Sequence, residues 1–211
     1  MSWWKRNGIW LLLLPVAVAA AGFAASHRFL EIYWPSQPTS PVEVTASRSP
    51  GSTDGKKQVA HYVSAFTNSG KEYERDITVS FVGARPLTEW NGMVAAEGTQ
   101  LWGFDFAFEA DPQVIASGCN LFVFDAEGTK YFQHAAQVVS ENAGAFTVAD
   151  CVPPGAEGPM LDFFTGDVQD SLQPRPRTWE STLAVALPRG VEPASVQLFW
   201  DLPAYAEFSL P

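Results

Sequence analysis

Three histidines, His27, His61 and His134, and two cysteines, Cys119 and Cys151, are the residues best suited to proton transfer, nucleophilic attack or metal binding. A hydrolase of the Ser-His-Asp kind needs a nucleophile held on a strained turn, and the chain has no G-x-S-x-G segment. His61 stands in the strand-like run "VAHYVSAF" and His134 closes "YFQHAA". Each reads as an ordinary strand residue, and the two could share a metal only if the fold brought them together. Asp162, Asp167 and Asp170 cluster in "LDFFTGDVQD". Hard cations want several oxygens, but the intervals of 5 and 3 depart from the D-x-D-x-D-G register, and no Glu stands at the twelfth position. "DAEG" at 125–128 reads as a turn before it reads as a ligand set. There is no phosphate-cradling glycine loop and no zinc pattern. No catalytic residue, metal ligand or cofactor is assigned.

Cys119 and Cys151 are expected to form a disulfide, because an exported chain meets an oxidising compartment. A metal or redox pair is the alternative, although no C-x-x-C is present. Closing a 32-residue loop is worth about 3.5 kcal/mol by chain entropy.

Export itself is read from the N-terminus. Gly8 to Ser26 is a run of 19 residues without a charge. As a helix it would span roughly 28 Å, close to one hydrocarbon core. Lys5 and Arg6 precede it, which places the N-terminus in the cytoplasm and the remainder outside. Trp3, Trp4 and Trp10 at one end, and Phe29, Tyr33 and Trp34 at the other, suit the two membrane interfaces. A cleaved signal peptide competes with this reading, since Ala19-Ala20-Ala21 offers an A-x-A site. The length of the apolar run and the continuing "HRFLEIYWP" favour an anchor that stays. No Cys lies nearby to carry a lipid. Ala17, Ala21 and Ala25, at intervals of four, would allow a second helix to approach closely.

The elements that must position everything else follow. Residues 1–34 form the stub and membrane helix. Residues 35–57, dominated by Pro, Ser, Thr and Gly, form a linker in which "VEVTA" could open a strand. Residues 58–211 form the exported domain. There "QVAHYVSAFT" and "RDITVSFVGA" are rich in β-branched and aromatic residues. "LWGFDFAFEA" alternates strictly, with Trp102, Phe104, Phe106 and Phe108 on one face. "NLFVFDAEGTKYFQHAA" reads as a hairpin about Asp125–Gly128 and "AFTVADCV" as a strand. Residues 153–177 read as a long irregular loop, followed by "TWESTLAVALP" and a last strand broken at Pro203. Seven to nine short strands with turns between them predict an all-β fold, an antiparallel immunoglobulin-like sandwich preceded by one transmembrane helix. Trp200, Tyr205 and Phe208, near the break, are expected to form a docking surface.

The chain has 13 Lys+Arg against 23 Asp+Glu; three of the bases precede Glu31, so the remainder carries 10 against 23 and a net charge of −13. Such a surface repels phosphate backbones and argues against nucleic acid as a partner.

"SWWKRN", "HRFLEIYWP", "CNLFVFDAEGTKY", "RPRTWESTLAVALP" and "VQLFWDLPAYAEF" together resemble uncharacterised single-pass exported proteins of high-GC Gram-positive bacteria. That group is associated with transporter systems of the FtsX/MacB permease kind. The resemblance implies an accessory role at a membrane complex and supplies no functional residues. The expected function is therefore a non-enzymatic, membrane-anchored extracytoplasmic interaction subunit with a membrane-protein partner. The alternative is an exported module that binds a small ligand or metal.

Overall fold

Period-two alternation decides the architecture, because each half-buried strand turns one row of side chains into a core and leaves the other in solvent. A computed structural model describes residues 3–28, 37–48, 56–68, 70–132, 138–140, 151–162, 165–170 and 173–210. In chain order its elements are α1 (Trp3–Arg28), β1 (Ser40–Val42), β2 (Val44–Arg48), β3 (Lys56–Asn68), β4 (Lys71–Leu87), β5 (Met93–Ala95), β6 (Thr99–Glu109), β7 (Asn120–Phe124), β8 (Lys130–Phe132), β9 (Val138–Ser140), β10 (Met160–Leu161), β11 (Val168–Gln169), β12 (Thr178–Pro188), β13 (Ser195–Phe199) and β14 (Ala204–Ser209).

Two five-stranded sheets form a sandwich. Sheet I runs β12-β6-β4-β3-β2 and sheet II runs β1-β14-β13-β7-β8. The pairings are antiparallel except for β1, which lies parallel to β14. The alternating segment behaves as its pattern requires: Phe104, Phe106 and Phe108 are buried, and Trp102, in phase with them, is half-buried. From sheet I they meet Leu121, Val123, Val196, Leu198, Ala206 and Phe208 of sheet II. The Phe208 ring lies 5.9 Å from Phe81 and 5.8 Å from Phe106.

Three expectations change. The sandwich begins before Gln58: β1 and β2 lie in the expected linker, and the chain passes from sheet II to sheet I at Glu43. Branched residues at Val42 and Val44 pack on the core and outweigh the Pro and Ser around them. The expected irregular loop contains the small β10–β11 hairpin. Trp200 and Phe208 are buried in the core, so they do not form a docking surface. They follow the same inward phase as Val196, Leu198 and Ala206. "AFTVADCV" lies mostly outside the described residues.

Helix α1 covers the uncharged N-terminal run, with Pro15 inside it. Leu13, Leu14, Val16, Val18 and Phe23 are exposed along it. Among the described residues no helix is long and apolar enough to cross a membrane. Within α1 the described side chains are those of Gly8, Trp10 and residues 13–26.

The passage from sheet I to sheet II, residues 110–119, is held by donors from elsewhere. Arg75 is 3 % exposed; its Nε donates to the Ile115 carbonyl at 2.9 Å, and its Nη1 pairs with Asp201. Arg175, 1 % exposed, donates to the carbonyls of Val114 (2.8 Å) and Asp111 (2.7 Å). The Trp200 indole donates to the Ala116 carbonyl at 2.8 Å, and the Trp179 indole to that of Cys151 at 2.6 Å. Cys119 and Cys151 are joined in a disulfide, as expected. The same groups stack. Arg175 lies 4.4 Å above Trp179, which stacks on Phe108 at 5.4 Å; Arg75 lies 4.3 Å from the Phe66 ring. Burial pushes the Arg175 pKa down to about 10, and pushes that of Arg75 down against the pull of Asp201.

Asp201→Ala should cost about 3 kcal/mol in urea denaturation, because it strands a buried guanidinium. Lys71→Met, which breaks the exposed pair with Asp167, should leave the curve unchanged. Replacing both cysteines by Ser should cost about 3.5 kcal/mol and lower Tm.

Candidate functional site

The outer face of sheet I is built from short side chains. Register places Val59, Ser80, Ala107 and Glu180 in one row across β3, β4, β6 and β12, and His61, Thr78, Glu109 and Thr178 in the next. The floor of Ser80, Ala107 and Thr78 sinks between taller neighbours, leaving an open trough of about 460 Å³. A β-bulge between Phe81 and Gly83 shifts the register at one end. Beyond it the Asp105 carboxylate accepts from Arg85 Nε at 3.0 Å and Thr182 Oγ1 at 2.6 Å. Leu87, Trp90 and Ala95 then pack over Leu101, Ala184 and Ala186 and wall off that end. Gly103 permits this approach: a Cβ there would lie 2.8 Å from Leu87 Cδ1. At the other end His61 Nε2 lies 2.6 Å from Asp76 Oδ1, with both side chains well exposed.

The face is acidic. Asp76, Asp105, Glu109 and Glu180 outnumber His61 and Arg85. Asp76 and Asp105 are paired, whereas Glu109 and Glu180 have no ion-pair partner among the described residues. They stand diagonally on adjacent strands, since Glu109 faces Thr178 and Glu180 faces Ala107. Like charges so placed oppose folding slightly. The arrangement is suited to holding a cationic group over a small-residue floor.

The other expected residues are dispersed. Tyr205 is half-buried on the outer face of sheet II, opposite Pro41 in register. Ala17, Ala21 and Ala25 are exposed along α1. His134 lies outside the described residues, as does the side chain of His27, so the His61–His134 pairing is not described. Asp162 accepts from Thr165 N and Gln169 Nε2, both at 2.8 Å, and closes the β10–β11 turn. The Lys71 ammonium holds the Asp167 carboxyl below its usual range. Asp125 accepts from Thr129 N at 2.7 Å and Tyr131 Oη at 2.9 Å, which makes "DAEG" a self-closed hairpin turn with Gly128 at φ 80°. Among the described residues, no three His, Cys, Asp or Glu side chains converge as a metal site. Glu109, Glu180 and Ser80 were not singled out from the sequence. The signal they carry is the outward phase of two acids on β6 and β12, strands that only the tertiary fold pairs.

No family model, curated protein or solved structure matches the chain.

Asp105→Ala should cost about 1.5 kcal/mol in urea denaturation through its lost charged hydrogen bonds. Glu180→Gln should not lower stability, and at low salt should raise it by a few tenths of a kcal/mol as repulsion from Glu109 is relieved.

Proposed function

We propose that this protein is a membrane-anchored extracytoplasmic interaction subunit that presents the trough of sheet I to a cationic segment of a membrane-protein partner. The observation that carries the reading is the trough itself: a small-residue floor beside two acids, Glu109 and Glu180, that no described residue neutralises. Electrostatic complementarity speeds and selects encounters with a basic partner. The anchor is the uncharged run from Gly8 to Ser26 behind Lys5 and Arg6. The disulfide fits an oxidising exterior. The sandwich is of immunoglobulin-like type. Its first strand changes sheets and lies parallel to the last, and two faces of paired antiparallel strands enclose one core. Tethering partner and domain to one bilayer raises their effective concentration, so a modest face is enough.

The test is purification of the tagged full chain from native membranes in mild detergent, with and without Glu109→Gln/Glu180→Gln. A stoichiometric membrane protein should be retained by the parent chain, lost as salt rises, and reduced about tenfold by the double substitution. Retention that is indifferent to both would count against the trough. A chain recovered without its first 28 residues would count against the anchor.

A further inference from the structure

The β3–β4 hairpin outruns the sheet that carries it. β2 pairs with β3 no further than Ala60, and β6 pairs with β4 no further than Thr78. From His61 and Thr78 to its tip, the hairpin is a two-stranded arm among the described residues. Its inner side is firmly held. Phe66 and Tyr73 stack at 5.4 Å, Arg75 lies 4.3 Å from the Phe66 ring, and Tyr73 Oη donates to the Gly166 carbonyl at 3.2 Å. Near the tip Lys71 pairs with Asp167.

Register fixes which backbone groups the arm leaves over. Asn68 faces Lys71 across a two-residue turn, so these two form a hydrogen-bonded pair. Bonded and non-bonded pairs alternate along an antiparallel ladder, which makes Phe66–Tyr73, Ser64–Arg75 and Tyr62–Ile77 bonded as well. His61, Val63, Ala65 and Thr67 then turn their N–H and C=O groups away from β4, toward the edge where β2 has ended. Among the described residues no backbone group pairs with them there. The two edges of the arm differ in their side chains. On β4 the equivalent positions are Glu72, Glu74 and Asp76, and charges at edge positions turn a foreign strand away. On β3 the stretch His61–Thr67 has no Lys, no Pro and no bulge, and Val63 is 49 % exposed. An unguarded edge of this kind is a template for one more strand.

We propose that this edge of β3 receives an extended basic segment of the partner as an added antiparallel strand, with Lys or Arg at alternate positions. The inference rests on the reading of sheet I as a receptor for a cationic partner, and gives that partner its conformation and its place. The edge is the site, and the neighbouring acids select its occupant. Outward side chains of the added strand stand beside His61, Val63, Ala65 and Thr67, all exposed. Asp76, Glu74 and Glu72 lie one strand farther, roughly 10 Å from the added backbone. Long basic side chains can cross the short Ala65 and Thr67 to reach Glu74 and Glu72, which have no ion-pair partner among the described residues. The acidic stripe then continues past Thr78 to Glu109. A second copy of this chain would bring these acids only its own His61, so a basic segment is the better complement.

Amide hydrogen exchange of the full chain in mild detergent, with and without a synthetic peptide of alternating lysine and threonine, tests this. Without peptide the amides of Val63 and Ala65 should exchange readily; with it they should slow by about tenfold or more. The same peptide N-methylated at its lysines, which lack the pairing N–H groups, should give no protection. Glu72→Gln/Glu74→Gln should weaken binding about fivefold, the size of two exposed ion pairs. Val63→Pro removes a donor that β4 does not use and should abolish binding; the N-methylated peptide reads the same contact without altering the protein. Amides of His61–Thr67 that are already protected without peptide would show a closed edge and overturn the proposal. Peptide that binds while they exchange freely, or no binding by the unmethylated peptide, would overturn it too. If the edge fails in this way while the membrane partner is still lost on Glu109→Gln/Glu180→Gln, the trough reading stands without the added strand.

Discussion

Three backbone carbonyls, those of Val114, Ile115 and Ala116, have no strand to pair with and take donors from other parts of the chain, while that of Asp111 accepts both from Val114 N and from Arg175. A buried carbonyl without a donor costs more than a hydrogen bond returns, so the crossing between the sheets needs donors brought from outside. Arg75, Arg175 and Trp200 supply them from β4, from the segment before β12 and from the end of β13. Each donor also lays an apolar or delocalised surface on an aromatic neighbour, which lets two guanidiniums sit in the interior. The disulfide then ties the end of the same segment to the residue whose carbonyl receives the Trp179 indole. Loop, core and cross-link are one assembly.

With the inner faces fixed in this way, the outer faces are free to differ. Sheet I sets short residues and carboxylates outside, because β6 spends its aromatics on the core side. Sheet II spends aromatics on both sides. One face is a shallow acidic trough, and the other carries aromatic side chains, with the Lys130 ammonium lying 4.4 Å over the Phe122 ring.

Much of this was legible in the chain. Strict alternation placed Phe104, Phe106 and Phe108 inside, and the two cysteines, in a chain without a C-x-x-C, are joined as expected. The break at Pro203 stands where β13 gives way to β14. Aromatic density does not mark exposure at Trp200 and Phe208: Trp200 keeps the inward phase of Val196 and Leu198, and Phe208 pairs with Val196 across β13 and β14. Arg75 was legible in the same manner: it is in phase with Ile77, Val79 and Phe81, so a charge had to enter the core. The trough was not legible. It depends on Glu109 and Glu180 meeting across β6 and β12, strands separated by some seventy residues and paired only by the tertiary fold.

The central claim is that the buried donors lock the crossing segment with the stability of the whole domain. Hydrogen exchange of the Trp179 and Trp200 indole N–H groups, followed by nuclear magnetic resonance, measures this directly. The account expects both to exchange only through global unfolding, in step with the amides of β6 and β13, and both to be released together in Asp201→Ala. Indoles that exchange freely while those strands stay protected would show that the segment opens on its own, and would contradict the account.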